Sequence, residues 1–243
     1  MQHPLLLARP ADPFLRLRLA DGAGVEDYVV DGDHVAFIRR GRRAEETWVS
    51  ALGDDPARIR GLIEVLRVHG LDGVHVHDHI YDTLPPSLQG PDPGHWSLWE
   101  LTSRSTPAVE TVRLDAADPR IDRLLEHSSS AYIHAGDPDV EEWRGITDGD
   151  DLIAVGARAR SAHRRAHLVS ICTDPARRGE GLGRTITASL ATEALASGST
   201  GVWLEMYADN AAAARTYQSV GFEEVGRYRS ALLHGLSSPA SKA

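Results

Sequence analysis

The 243-residue chain has a single lysine, Lys242, close to its C-terminus. That argues against a lysine Schiff base, a lysine general base and a phosphate-loop lysine. Cysteine is equally scarce: Cys172 stands alone, so this sequence can form neither an internal disulfide nor a paired-cysteine zinc site, and a reducing cytoplasm is the expected setting. No Gly-x-Ser-x-Gly elbow occurs. No apolar run approaches the roughly 20 residues that a membrane-spanning helix needs. The opening MQHPLLLARPADP has three leucines with no cationic region before them, and does not read as a signal peptide. Positive charge is in deficit. Lys and Arg number 26 against 35 Asp and Glu, a formal net charge of -9. An acidic chain lacks the electrostatic footprint of a non-specific nucleic-acid binder. Neither nucleic acid nor membrane is therefore expected as a partner.

What is present reads as an ordinary globular composition, 42% hydrophobic and 25% charged. The length suits one large domain or two small ones. The second half alternates strands and helices. Strands are expected at Val109–Leu114, Asp151–Ala157, Ala166–Thr173 and Gly201–Tyr207. Helices are expected at Asp118–Ser128, Gly183–Ser197 and Ala211–Ser219, the last preceded by Asp209 and Asn210 as candidate caps. The polar stretch Gly136–Gly149 around Trp143 suggests a short helix between loops. Gly221 ends a helix, and Phe222–Leu233 suggests a closing strand or hairpin. The first half echoes this order. Asp31-Gly32-Asp33 matches Asp148-Gly149-Asp150, Val49-Ser50 matches Val169-Ser170, and Asp55-Pro56-Ala57-Arg58 matches Asp174-Pro175-Ala176-Arg177. Gly73-Val74 then matches Gly201-Val202. Collinear matches of this kind point to a structural repeat with a boundary near Ser103–Pro107.

The strongest local signal is Thr173-Asp-Pro-Ala-Arg-Arg-Gly-Glu-Gly-Leu-Gly-Arg-Thr185, between a β-branched strand and a helix. Its glycines let the backbone turn tightly and approach a ligand without Cβ clashes. The helix that follows aims free N–H groups and a positive dipole end into the loop. Arg177, Arg178 and Arg184 add positive charge. The arrangement suits a pyrophosphate, but it is not a Walker loop, nor does it have dinucleotide-fold glycine spacing.

Here the sequence resembles the GNAT acyltransferase superfamily. Arg178-Gly-Glu-Gly181-Leu-Gly183 fits its Arg/Gln-x-x-Gly-x-Gly/Ala signature. Asn210-Ala-Ala-Ala-Ala-Arg-Thr-Tyr217-Gln-Ser-Val-Gly221-Phe222 is similar to its Asn-x-x-Ala-x-x-x-Tyr-x-x-x-Gly-Phe segment. The resemblance covers about residues 109–233. It implies an α/β (α+β) fold, a mixed central sheet flanked by helices, and transfer of an acetyl group from acetyl-CoA to a small-molecule amine or peptide N-terminus. It also implies that backbone groups of Ile171, Cys172 and Thr173 hold the pantetheine arm. Backbone N–H groups of Arg178, Gly179, Glu180, Gly181, Leu182, Gly183 and Arg184 would hold the pyrophosphate. Asn210 would contact the cofactor, and Tyr217 would sit beside its sulfur. Residues 1–106 lack both signatures and are expected to form a smaller, degenerate GNAT-like domain. Residues 107–236 would be the catalytic domain, and 237–243 a disordered tail. Monomer and homodimer both remain open.

Aminolysis of a thioester needs a neutral amine, a polarised carbonyl and a proton for the leaving thiolate. Tyr217 is a sensible acid, since a phenol has a pKa of about 10. Leu204-Glu205…Asn210…Tyr217 is similar to the ribosomal-protein alanine acetyltransferases, a likeness that implies Glu205 as base. Met206 and Tyr207 depart from the Val-Arg usual there, so that substrate does not carry over. Tyr132, His134 and Glu141 lie where the family's acceptor site usually lies. Cys172 reads as core filling rather than a nucleophile. His75, His77 and His79 alternate with Asp78 and Asp82 nearby, a spacing that could hold a metal. The repeat instead makes them counterparts of Trp203, Glu205 and Tyr207, and no metal is expected. A second reading is a non-enzymatic acyl-CoA-binding regulatory or interaction protein that has lost turnover.

Overall fold

The computed structural model describes residues 2–19, 24–41, 46–103, 111–160 and 164–233. The elements in chain order are α1 (Pro4–Ala8), α2 (Pro13–Arg18), β1 (Val25–Asp31), β2 (His34–Arg40), β3 (Thr47–Leu52), α3 (Pro56–Leu66), β4 (Gly73–His77), α4 (Asp78–Tyr81) and β5 (Gly94–Leu101). There follow β6 (Val112–Leu114), α5 (Pro119–Leu125), β7 (Val140–Asp148), β8 (Asp151–Ala159), β9 (Arg165–Thr173), α6 (Leu182–Ala196), β10 (Gly201–Tyr207), α7 (Ala211–Val220) and β11 (Glu223–Leu232). No helix among the described residues is long and apolar enough to cross a membrane.

The chain forms two compact units. The first comprises the described residues up to Ser97, with Tyr207–Asp209 and the stretch from Gly226 onward. The second runs Leu98–Met206 and Asn210–Val225. These limits differ from the sequence reading at 106/107. The first unit takes the final half of β11 because Tyr228–Leu232 pairs with His77–Gly73 of β4. The expected tail at 237–243 lies outside the described residues, as do Val109 and Glu110 of the expected first strand.

Four Asp-Pro pairs start helical segments. Asp12, Asp55 and Asp118 cap α2, α3 and α5, and Asp174 caps the short 3-10 turn Pro175–Arg177. Each carboxylate accepts hydrogen bonds from N–H groups two or three residues on, at 2.8–3.3 Å. Proline at the first helical position costs no hydrogen bond, because that N–H has no partner within the helix.

In the first unit β1, β2 and β3 are antiparallel neighbours, and α3 returns the chain to β4, which lies parallel to β3. Ile59, Leu62, Ile63 and Leu66 of α3 bury against Ala36, Ile38, Val49 and Val74. The N-terminal leucines form α1, with Leu5 and Leu6 buried and Leu7 exposed. On the other face His75 stacks between Phe14, Trp96 and Tyr228, with ring centroids 4.4–5.1 Å apart. Burial, with Arg39 and Arg18 nearby, holds its imidazole well below the ordinary value, so it packs as a neutral ring.

The second unit has the same succession: β7, β8 and β9 are antiparallel neighbours, and α6 crosses to β10, parallel to β9. Strand β7 corrects the short helix expected within Gly136–Gly149. Its inward face carries Trp143, 1% exposed, against α5. Its other face carries Glu142 and Arg144, which looks solvated in sequence. Glu142 instead pairs with Arg144 at 2.7 Å and Arg158 at 3.3 Å, and Arg144 pairs with Glu193 of α6. Burial and the nearby Glu142 raise the Glu193 carboxyl above its usual value. Ion pairing under a helix thus hides the two-residue period.

Helix α6 packs closest where the sheet has no side chain. A Cβ at Gly156 of β8 would lie 2.6 Å from Ile186 Cγ2 and 3.2 Å from Ile171 Cγ1. Gly156→Ala should therefore force α6 and Ile171 to shift, with a loss of about 1–3 kcal/mol typical of overpacking. Equilibrium urea unfolding measures this, and an unchanged midpoint would show that the helix yields at no cost.

Candidate active site

Strand β9 changes character at Ser170. This residue has φ +51, the left-handed region that non-glycine residues rarely enter. The β8 register shifts here: Val155 faces Cys172, yet Ala157 faces Val169. Two residues of β8 thus span three of β9, a bulge with one extra residue. Ser170 Oγ donates to Ile133 O at 2.8 Å, which fixes the bulge against the 131–135 segment. The bulge divides its neighbours. Ile171 packs on the α6 side with Tyr217, and Cys172 on the α5 side with Trp143.

Pairing between β9 and β10 runs only through Arg165–His167 with Gly201–Trp203. At its closed end the rings of His167 and Trp203 stack with centroids 3.7 Å apart, within 1° of parallel. From Leu168 and Leu204 onward the two strands part. Their facing backbone groups are then available to a ligand.

The glycine loop lies at the open end. Gly179 and Gly181 have φ +87 and +79, conformations that glycine adopts freely. Gly181 is the N-cap of α6 and supplies no side chain to cap it. None of the backbone N–H groups of residues 178–184 donates to a protein acceptor among the described residues; the first that does is Thr185, to Gly181 O. Seven donors at a helix N-terminus are therefore without a protein acceptor among the described residues, an arrangement that fits a pyrophosphate. A Cβ at Gly183 would lie 3.6 Å from Thr173 Oγ1 and 3.8 Å from Thr216 Cγ2, so the loop, the end of β9 and helix α7 converge here. Arg178 and Arg184 are exposed beside the loop. Arg177 departs from the sequence reading. It pairs with Glu180 at 2.8 Å and Asp148 at 2.7 Å, so its charge braces the loop instead of facing outward. Those two carboxylates raise its pKa.

Tyr217 is held by α7, whose N-cap is Asn210: Asn210 Oδ1 accepts from Ala213 N at 3.0 Å. The Tyr217 ring is tilted against Trp99 and Phe222, with centroids 6.5 and 6.1 Å away. Its hydroxyl makes no hydrogen bond among the described residues and is not among the fully enclosed polar atoms. Burial alone pushes the phenol up to about 12, so it stays protonated at neutral pH. Glu205 is half-buried on β10. Leu204 and Met206 pack on the α6 side with Tyr217, so alternation puts Glu205 on the opposite face.

The acceptor candidates do not stay together. Tyr132 and His134 flank Ile133 and therefore lie beside the bulge; His134 Nδ1 is 3.2 Å from Asp122. Glu141 pairs with Arg158 at 3.2 Å and lines a groove with Arg164, Arg165 and Ser197. That groove adjoins the C-terminal end of α6, a 15-residue helix about 22 Å long, whereas the glycine loop is at its start. Cys172 is buried, and burial pushes its thiol up, which suits core packing. Sequence reasoning missed Ser170, because no residue-type signal marks a serine at positive φ.

A family model described as "Acetyltransferase (GNAT) family" matches residues 96–222. The chain belongs to the GNAT acetyltransferase family. It is 32% identical over 108 residues to an uncharacterised protein of Mycobacterium leprae, covering 43% of this chain and 26% of that one. It is 39% identical over 75 residues to the ribosomal protein bS18-alanine N-acetyltransferase of Salmonella typhimurium, covering 31% and 51%. The chain thus spans between about a quarter and half the length of these relatives. Among solved structures, a GNAT-family protein from Novosphingobium aromaticivorans superposes with TM-score 0.56 at 21% identity, over 94% of this chain and 97% of that one. A GNAT-family acetyltransferase from Colwellia psychrerythraea gives 0.53 at 12% identity, over 81% and 84%. These similarities establish the mixed α/β GNAT fold, with its central sheet flanked by helices.

The burial of Tyr217 has a stability consequence. Its folded pKa lies above the unfolded value of about 10, so the neutral phenol is favoured in the fold. That contribution is complete below pH 10 and is lost as pH rises toward 12. Two units correspond to about 2.7 kcal/mol. The stability difference between wild type and Tyr217→Phe, measured by urea unfolding from pH 8 to 12, should shift by about that much in favour of the variant. A constant difference would show that the phenol is not desolvated.

Proposed function

We propose that the second unit transfers an acetyl group from acetyl-CoA to a primary amine, by direct attack of the amine on the thioester. The observation that carries this reading is the row of N–H groups at residues 178–184 without a protein acceptor among the described residues, at the mouth of a strand pair opened beside Tyr217. The amides of Arg178 to Arg184 hold the pyrophosphate, and the parted edge of β9 at Ile171–Thr173 holds the pantetheine arm. The amide of Asn210 reaches the cofactor with its nitrogen, since its oxygen caps α7. A free N–H of β9 donates to the oxygen of the reacting carbonyl as negative charge develops there. Glu205 accepts the proton that the acceptor ammonium loses to become the attacking amine. Tyr217 donates its proton to the departing sulfur. A phenol of raised pKa suits this role where the thiolate is equally desolvated, because burial raises the proton affinity of both anions.

The acceptor is a small-molecule amine or a peptide N-terminus, entering beside Tyr132 and His134. The Salmonella relative's name specifies a ribosomal protein's alanine, which favours the peptide class. Glu141 is not part of this site on our reading. We also read the first unit as a degenerate copy of the second. Its identical succession of strands and helix supports this. Among the described residues it has no counterpart of the cofactor site, for β3 and β4 stay paired to Ala51 and Val76, and a capped helix stands where the glycine loop would be.

Two experiments test the proposal. Acetyl-CoA at 100 times Kd should stabilise the chain by about 2.7 kcal/mol. Gly183→Val should abolish that shift while leaving the unliganded melting point close to wild type, since a Cβ at Gly183 makes only ordinary contacts. Gly181→Val should lower both, because Gly181 has φ +79. An acetyl-CoA shift that survives both changes would remove the loop from the mechanism. Tyr217→Phe should keep acetyl-CoA binding and lower kcat by about 10²–10³. Glu205→Gln should cost less, with a penalty that shrinks as pH rises and more amine is already neutral. Near-normal kcat in Tyr217→Phe, with chemistry rate-limiting, would refute the proton donor. Binding without turnover on any amine would indicate a non-enzymatic acyl-CoA-binding protein.

A further inference from the structure

The first unit carries a side-chain cluster that acyl transfer does not use. Asp54, His77 and His79 each direct one ligand atom so that the three lie within 4.8 Å of one another. Asp54 lies two residues beyond the end of β3, His77 is the last residue of β4, and His79 lies in α4. The cluster therefore sits at the carboxyl ends of two parallel strands, the place where open α/β sheets hold ligands.

The surroundings orient each group. His77 Nδ1 lies 3.3 Å from Gly53 O, a carbonyl that only accepts; with the hydrogen on Nδ1, an ion would take Nε2 in place of its contact with Asp12 Oδ2. Metal-binding histidines characteristically donate their other ring N–H in this way. His77 Nε2 is 3.4 Å from Oδ2 of Asp12, a buried carboxylate that Arg9 holds at 3.2 Å. Arg9 also lies 3.6 Å from Oδ2 of Asp54, which leaves Asp54 Oδ1 toward His79 Nε2 at 3.6 Å. The two imidazoles stack at 5.6 Å. His75 does not join them, since it is enclosed in its aromatic stack, and Asp78 and Asp82 are taken by Arg229 at 2.7 and 2.6 Å.

We propose that Asp54, His77 and His79 bind a divalent first-row ion of the Zn²⁺ or Co²⁺ kind, with solvent completing the coordination. Two imidazoles and one carboxylate are the donor set of such ions. Tetrahedral ligands at about 2.0–2.2 Å from the metal stand roughly 3.4 Å apart. Closing the present spacing requires movement of about 1 Å, available to Asp54 and His79, which are both exposed at the surface. This site is independent of the acyl-transfer reading. It also replaces the expectation, drawn from the sequence, that the histidine run holds no metal. The sequence pattern had grouped His75 with Asp78 and Asp82, whereas the fold brings in Asp54 from another strand.

The test is titration of the chelator-treated full chain with Co²⁺, followed by visible d–d absorption, and with Zn²⁺ by calorimetry. One ion per chain is expected, with Zn²⁺ displacing the Co²⁺ spectrum. His79→Ala and Asp54→Ala alter exposed side chains, so both should fold. Each should weaken binding by more than 10-fold, since even second-layer changes at metal sites cost 10–100-fold. His69→Ala, which removes a separate exposed histidine paired with Asp27, should leave binding unchanged. Acetyl-CoA stabilisation should persist in all three. No stoichiometric Co²⁺ spectrum, or one that survives both His79→Ala and Asp54→Ala, would overturn the proposal.

Discussion

Ser170 holds a backbone conformation that costs about 1–3 kcal/mol in a non-glycine residue, and its hydroxyl bond to Ile133 O is what keeps it there. The extra residue accommodated at this point redirects every side chain after it. Without the bulge, strict alternation would reverse the faces of Ile171 and Cys172 and draw β9 straight alongside β10. With it, the ladder ends at His167, and two strands of one sheet diverge into a cleft. The loop at residues 178–184 follows the end of β9 at the mouth of that cleft. Ile171 and Met206 pack in the same cluster as the Tyr217 ring.

Charge is handled locally in this acidic chain. The sheet face beneath α6 carries Glu142, Arg144 and Arg158, which pair with one another and, through Arg144, with the half-buried Glu193. Such a network contributes little net stability once desolvation is counted, yet removing one member leaves a buried charge without its partner. At the glycine loop the balance differs. Arg177 is spent on Glu180 and Asp148, and the outward field comes from amide dipoles with Arg178 and Arg184. An anion at the loop would meet N–H groups more than net charge.

Much of the fold was legible in residue type. The Asp-Pro pairs announced helix starts, because a capping carboxylate and a proline satisfy the same end in complementary ways. The glycine spacing and the Asn210…Tyr217…Gly221 pattern marked the starts of α6 and α7 and the end of α7, since both depend on local chemistry. Strand β7 was illegible, because its charged face is covered by a helix brought from 40 residues away in sequence. Glu141 was misplaced for a related reason: acidity in a run says nothing about which end of a strand a side chain occupies. The cluster of Asp54 with His77 and His79 was half visible, as the histidines share a segment but the carboxylate comes from a neighbouring strand's end.

The brace between Arg177 and Asp148 links the glycine loop to the β7–β8 turn through groups that solvent reaches. Mobile ions screen such contacts beyond about 8 Å at physiological ionic strength and weaken them at close range as salt increases. The loop's stiffness is therefore tied to the ionic medium. In dilute electrolyte the amides would already be arrayed for a polyanion, with little ordering entropy left to lose. In concentrated salt, with the brace weakened, the same array would have more ordering left to do as such a ligand arrived.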